Sequence, residues 1–219
     1  MKKLNNIALL IIVLLIVFAS NNSNAQVKIA LGLQAGVNFG NASNNVAGVD
    51  QTLSSSTGFI AGGLVDIGLS KQISIVPGLR YIGKGSKQTN VAVQGLGNGD
   101  LKTTIGMLEF PALLRVKFPL TEVNPYLIAG PILGIILSAN TDFIPTAGGT
   151  TQSFDVKSTF ESTEFDLYFG GGLDFKISPS ASLFFELGYE LGLTDIAKAS
   201  NVTTKSYSFQ ITGGARFGM

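Results

Sequence analysis

The chain has 219 residues, 13% of them charged and 45% hydrophobic, with 15 Lys and Arg against 14 Asp and Glu. So even a balance offers no basic face for nucleic acid. The absence of His excludes every Ser-His or His-Asp catalytic device, and the absence of Cys excludes a disulfide framework.

Residues 1–25 have the form of a cleaved signal peptide. Lys2 and Lys3 precede an unbroken apolar run of thirteen residues, Ile7 to Ala19, and Ser23-Asn24-Ala25 supplies small residues for cleavage before Gln26. Thirteen apolar residues fall short of the roughly 20 that cross a bilayer as a helix. Residues 26–219 then form one domain that is poor in charge yet holds no run long enough for a spanning helix. A closed β-barrel is the other way to satisfy the backbone in lipid.

Period-two alternation predicts eight strands, at about 30–40, 58–70, 72–85, 103–118, 123–138, 161–177, 181–193 and 204–218. The fourth sets Leu108, Phe110, Ala112, Leu114, Val116 and Phe118 against Glu109, Arg115 and Lys117. In the sixth, Phe165, Leu167, Phe169, Leu173, Phe175 and Ile177 oppose Glu164, Asp166, Tyr168, Asp174 and Lys176. The seventh opposes Leu183, Phe185, Leu187, Tyr189, Leu191 and Leu193 to Glu186 and Glu190, and the eighth opposes Tyr207, Phe209, Ile211, Ala215 and Phe217 to Arg216 and small polar residues. The fifth, NPYLIAGPILGIIL, hardly alternates. Pro77, Pro111 and Pro131 fall inside predicted strands, where a bulge or a strand end would accommodate them.

Short joins near residues 70–71, 119–122 and 178–180 alternate with long polar ones near 41–57, 86–102, 139–160 and 194–203. This is the pattern of an antiparallel up-and-down transmembrane barrel with turns on the periplasmic side and loops outside the cell. Aromatic residues support the apolar face as the lipid face. Phe118, Tyr126, Phe175, Phe185 and Phe217 fall near the turns, and Phe39, Phe59, Tyr81, Phe165 and Tyr207 near the loops, as two interfacial girdles. The charged face then points inward: Asp66, Glu109, Glu164, Asp166, Asp174, Glu186 and Glu190 with Arg80, Lys84, Arg115, Lys117, Lys176 and Arg216. A nearly balanced, mutually paired interior is the structural role expected of these thirteen residues, with Gly170, Gly172, Gly188, Gly192 and Gly214 making room for long neighbours.

Catalytic chemistry finds little support. Glu186 and Glu190, four apart on a strand, lie roughly 13 Å apart, beyond the ~5–9.5 Å of glycosidase pairs. Asp50, Asp100, Asp142 and Asp155 lack calcium-loop spacing, and GLGNG (95–99) lacks the Lys-Ser or Lys-Thr of a phosphate cradle and reads as a flexible loop tip. No metal, cofactor or catalytic residue is expected. The expectation is a non-enzymatic barrel with an envelope-structural or interaction role through its loops; the alternatives are a lipid- or small-ligand-handling barrel, with or without an enzymatic activity, and a narrow pore.

LEFPALLRVKF, NPYLIAGPILG, FDLYFGGGLDFKIS and LFFELGYELGLTDI together resemble the PorT-type outer-membrane β-barrel proteins. The resemblance spans residues 26–219, matches Pro111 and Pro131 to prolines of the family pattern, and implies a small eight-stranded barrel in the outer membrane of a Gram-negative-type bacterium. Because PorT itself is linked to protein secretion, it also implies a secretion-system or extracellular partner, besides outer-membrane lipid and the export and barrel-assembly machinery. The closing ARFGM departs from the aromatic final residue common among barrels.

Overall fold

A computed structural model describes residues 28–120 and 122–218. The expected signal peptide and its cleavage point lie outside them. The strands are β1 (Lys28–Val46), β2 (Val49–Gln51), β3 (Ser54–Gly68), β4 (Ile73–Val93), β5 (Gly97–Lys117), β6 (Val123–Pro145), β7 (Gln152–Asp155), β8 (Thr163–Ser178), β9 (Ala181–Gly192) and β10 (Val202–Phe217). Each long strand pairs antiparallel with the next, and β10 returns to β1, so that eight strands close into a barrel. Short β2 and β7 merely extend the sheet beside β1 and β6, which brings the strand total to ten.

The register fixes the shape. Successive cross-strand partners Ile29, Ile67, Ile75, Leu114, Ala129, Phe169, Tyr189, Phe209 and Phe39 lead once around the wall and return to β1 ten residues beyond the start. With a rise of ~3.4 Å and a strand spacing of ~4.8 Å, that stagger over eight strands tilts them by about 40°. The interior is then only wide enough for side chains.

Apolar side chains cover the outside. Leu33, Phe59, Leu127, Leu187 and Phe217 are among the many large hydrophobics left exposed, while Arg80, Glu109, Arg115, Glu164 and Arg216 are buried inside. Three stacked pairs, Phe39–Phe209, Phe59–Tyr81 and Tyr189–Tyr207, mark the loop-side girdle. Tyr126 leaves the expected turn-side girdle: it points inward and is buried.

Three sequence expectations are corrected. The segments expected as long loops at 41–57 and 86–102 are largely continuations of the sheet, and that at 139–160 is so over half its length, with β1 reaching Val46, β4 and β5 running 21 residues each and β6 running 23. Above the bilayer both faces of a strand are wet, so the apolar alternation ends although the hydrogen-bond ladder does not. The expected loop tip at 95–99 is instead a tight hairpin turn, in which Gly95 and Gly97 take φ of +84° and +83°, conformations that Gly adopts without penalty.

The prolines sit neither at bulges nor at strand ends. Pro77, Pro111 and Pro131 lie on three adjacent strands, and the ladder opens beside them: pairing skips from Pro77↔Ala112 to Arg80↔Glu109, and from Pro111↔Ile132 to Leu114↔Ala129. A residue with no N–H is tolerated where the ladder is already interrupted. The bulge of this region falls elsewhere, between Gly106 and Met107 opposite Ser138 and Ile136.

Leu187 lies halfway along β9 on the exposed face. Leu187→Arg is expected to cost about 2–4 kcal/mol in urea unfolding from phospholipid vesicles, as a charge near the bilayer midplane does. A change within about 0.5 kcal/mol, typical of a water-facing site, would contradict the sidedness of the wall.

Candidate functional site

The lumen is built in tiers that follow from the inward row of each strand. At the turn end, the Asp66 carboxylate meets the Arg115 guanidinium, with Lys117 Nζ at 3.7 Å and Arg216 Nε at 3.8 Å, while Arg216 Nη1 lies 3.3 Å from Asp174. Arg115 and Arg216 both stack on Tyr126, at 5.3 and 5.5 Å from the ring centre, and Arg216 also covers Phe184 at 4.0 Å. Aromatic faces thus supply part of the environment that water would otherwise give these guanidinium groups.

The next tier holds Glu186, which makes no ion pair among the described residues. Tyr126 Oη donates to one of its oxygens at 2.9 Å and Tyr168 Oη to the other at 2.8 Å. Ion pairing was expected here, and two phenols replace it. Glycine makes the geometry work: a Cβ on Gly188 would strike the Tyr168 hydroxyl, and one on Gly172 would lie 2.5 Å from that of Tyr126. Leu64, Val76, Leu113, Ile128 and Ile132 fill the same level. The apolar inward row of β6 explains why its sequence fails to alternate, since its lumen side is packed and not wet.

Mid-barrel lies a closed ionic cluster. Arg80 donates to Glu109 at 2.7 Å, to Glu190 at 2.7 Å and to Gln210 at 3.1 Å. Lys84 Nζ touches four carboxylates: Glu109 at 3.1 Å, Glu164 at 3.2 Å, Asp166 at 2.8 Å, and Glu190. Ser206 donates to Glu164 at 2.6 Å, and Gln210 to Glu190 at 2.8 Å. Oxygens of Glu109, Asp166 and Glu190 come within 4.8 Å of one another, the spacing of a cation site. The Lys84 ammonium contacts all three and so stands where a metal ion would.

All thirteen residues read as inward therefore lie in the lumen or at its edge. Lys176 alone among them is exposed: it lines the turn-side mouth and makes no ion pair among the described residues. Charge is also unevenly spread: acids outnumber bases mid-barrel, and bases outnumber acids at the turn end.

A plug at the loop end escaped the sequence reading. Residues 156–162 and 193–197 fold over the mouth, joined by Glu161 N–H to Ile196 O (2.9 Å), Lys198 N–H to Thr159 O (3.0 Å) and a Phe160–Ala197 bridge. Ile196 packs fully buried against Ile60, Ile82, Ile105, Met107 and Ile136, with Val156 and Phe160 beside it. The available signal was three large apolar residues isolated in polar loops. Asp195 Oδ1 pins the plug by accepting from Thr204 N–H at 2.8 Å and Ala197 N–H at 3.0 Å. Desolvation alone would raise the Asp195 pKa, but these backbone donors outweigh it and hold the carboxyl below its ordinary value.

Comparison with known proteins agrees with this architecture. The model of the outer membrane protein beta-barrel domain family matches residues 18–198. The crystal structure of outer membrane protein OprG from Pseudomonas aeruginosa is 14% identical, covers 88% of this chain and 97% of its own, and has a TM-score of 0.52. Outer membrane protease OmpT from Escherichia coli is 9% identical, with 92% and 100% covered and a TM-score of 0.49; Neisserial surface protein A is 16% identical, with 87% and 99% covered and a TM-score of 0.46. None of the curated proteins matches the chain in sequence.

Arg80→Ala leaves Glu109 and Glu190 buried without their guanidinium and is expected to destabilise the barrel by about 3–5 kcal/mol in the same unfolding measurement. The triple variant Arg80→Met, Glu109→Gln, Glu190→Gln removes the charges together and should recover at least half of that loss. For Asp195, whose folded pKa is depressed, the contribution to the plug is full above the unfolded value of about 3.9 and is lost as pH falls through the folded one. Amide protection of residues 195–197 should accordingly stay level from neutral pH to about 5 and drop in stronger acid, with the drop abolished in Asp195→Asn.

Proposed function

Because the chain belongs to the outer membrane protein beta-barrel domain family, we propose that this Gram-negative outer-membrane protein is non-enzymatic and acts through the sheet projecting from its extracellular end, not through its lumen. The filled lumen carries the reading. Arg80, Lys84 and their carboxylates occupy the middle, and the Ile196 plug covers the top. The cavity beside the plug, about 140 Å³ and reaching down to Lys84, is separated by this cluster from that at the turn end, about 460 Å³.

Such an interior gives a solute no continuous path and leaves no room for a polypeptide to pass. If the protein takes part in secretion, as its PorT-type resemblance implies, it does so by contact with a partner at its ends or wall. The hairpin of β4 and β5, the extension of β6 with β7 and the short β2 beside β1 form the contact surface, where Val49 on β2, Ile144 on β6 and Phe154 on β7 are exposed apolar residues. Export and insertion then use the general secretory and barrel-assembly machinery. The lack of His and the engagement of every mid-barrel carboxylate with a cation support a non-catalytic lumen.

In planar bilayers the wild-type protein should give no discrete conductance steps, whereas Arg80→Ala/Lys84→Ala, which empties the middle tier, should give flickering ones. Stable single-channel current through the wild type would overturn the proposal in favour of a pore.

A further inference from the structure

The turn-end cavity has a chemistry that the closed-lumen reading does not use. About 460 Å³ in volume, it lies within the ~300–1,000 Å³ range of small-molecule sites. Among the described residues it is lined by Lys28, Lys71, Lys117 and Lys176, with Asp66 and Asp174 as the carboxylates. Glu122, in the neighbouring turn, does not line it.

Those two carboxylates are already engaged. Asp66 serves Arg115, Lys117 and Arg216, and Asp174 serves Arg216. Behind them Arg115 Nη1 is buried with no acceptor among the described residues. Lys28, Lys71 and Lys176 make no ion pair among the described residues either. Acceptors are thus in deficit at this end, and a half-enclosed, low-dielectric funnel concentrates the resulting positive field on its opening.

We infer that this vestibule is a binding site for a small soluble polyvalent oxyanion, a polyphosphate or polycarboxylate, drawn from the periplasm. Size argues against a single monovalent ion, which would fill little of the space. The barrel wall stands between the cavity and the surrounding lipid, so the ligand enters from solution and not as a phospholipid headgroup. Lysines favour charge over shape: each ammonium is a mobile point donor without the fixed fork of Arg. The site therefore selects by valence.

The test uses the full exported protein, extracted from membranes in zwitterionic detergent at low ionic strength, with pyrophosphate and citrate as probes in calorimetric titrations. Both should bind saturably and compete with each other. Lys71→Gln/Lys176→Gln, on the exposed rim where folding is untouched, should weaken both at least tenfold, while Lys102→Gln/Lys205→Gln on the extracellular side should leave them within twofold. Absence of saturable binding, an unchanged affinity in the rim variant, or an equal loss in both variants overturns the inference. Transfer to nanodiscs containing phosphatidylglycerol should leave citrate binding in place; its loss there would reassign the site to a lipid headgroup and overturn the soluble-ligand inference. Conductance is not read in this experiment, so its failure is separate from that of the closed-lumen proposal.

Discussion

The pairing of β1 with β10, continuous from Leu31↔Phe217 to Val46↔Val202, joins the two ends of the eight-stranded wall into a closed cylinder. In hydrocarbon an unpaired backbone amide or carbonyl costs several kcal/mol, so a wall with an open seam could not rest there. Most other features follow from closing at this size. An eight-stranded cylinder is too narrow for a water column and too wide to be left empty, so each inward side chain must find a neighbour across the axis.

Charged side chains meet that demand here with a condition attached. A buried ion recovers its lost hydration only if several partners surround it, and Lys84 with four carboxylates and Arg80 with three acceptors satisfy the condition. Glu186 shows a second solution, a carboxylate held by two phenols whose rings fill the hollows left by glycines on neighbouring strands. Bulk on one strand is matched by its absence on the next. The three-dimensional register decides which glycine serves which tyrosine.

Where one face of a strand met lipid and the other met ions, the chain announced its structure. Strands β8, β9 and β10, with Phe165 to Ile177, Leu183 to Leu193 and Tyr207 to Phe217 alternating against polar neighbours, could be oriented residue by residue. The signal failed where its physical cause failed. Strand β6 packs apolar groups on both sides, so Tyr126, Ile128 and Ile132 looked no different from Leu127 and Leu133. The upper parts of β4 and β5 are wet on both sides and looked like loop. Inward direction could be read for Glu186 and Glu190 alike, but not that one would meet phenols and the other cations, because cross-axis neighbours depend on the ten-residue stagger. The plug stayed hidden for a related reason: Ile196 and Phe160 come together only after the wall has closed.

The overlong hairpin of β4 and β5 gives the molecule reach. Its 21-residue strands, inclined as the stagger requires, rise about 50 Å along the membrane normal, twice the ~25 Å apolar band of such proteins. The tip therefore stands roughly 25 Å clear of the hydrocarbon by the same geometry. Being laddered and not loose, it works as a mast: whatever docks at its head has little chain disorder to freeze out and need never touch the lipid beneath.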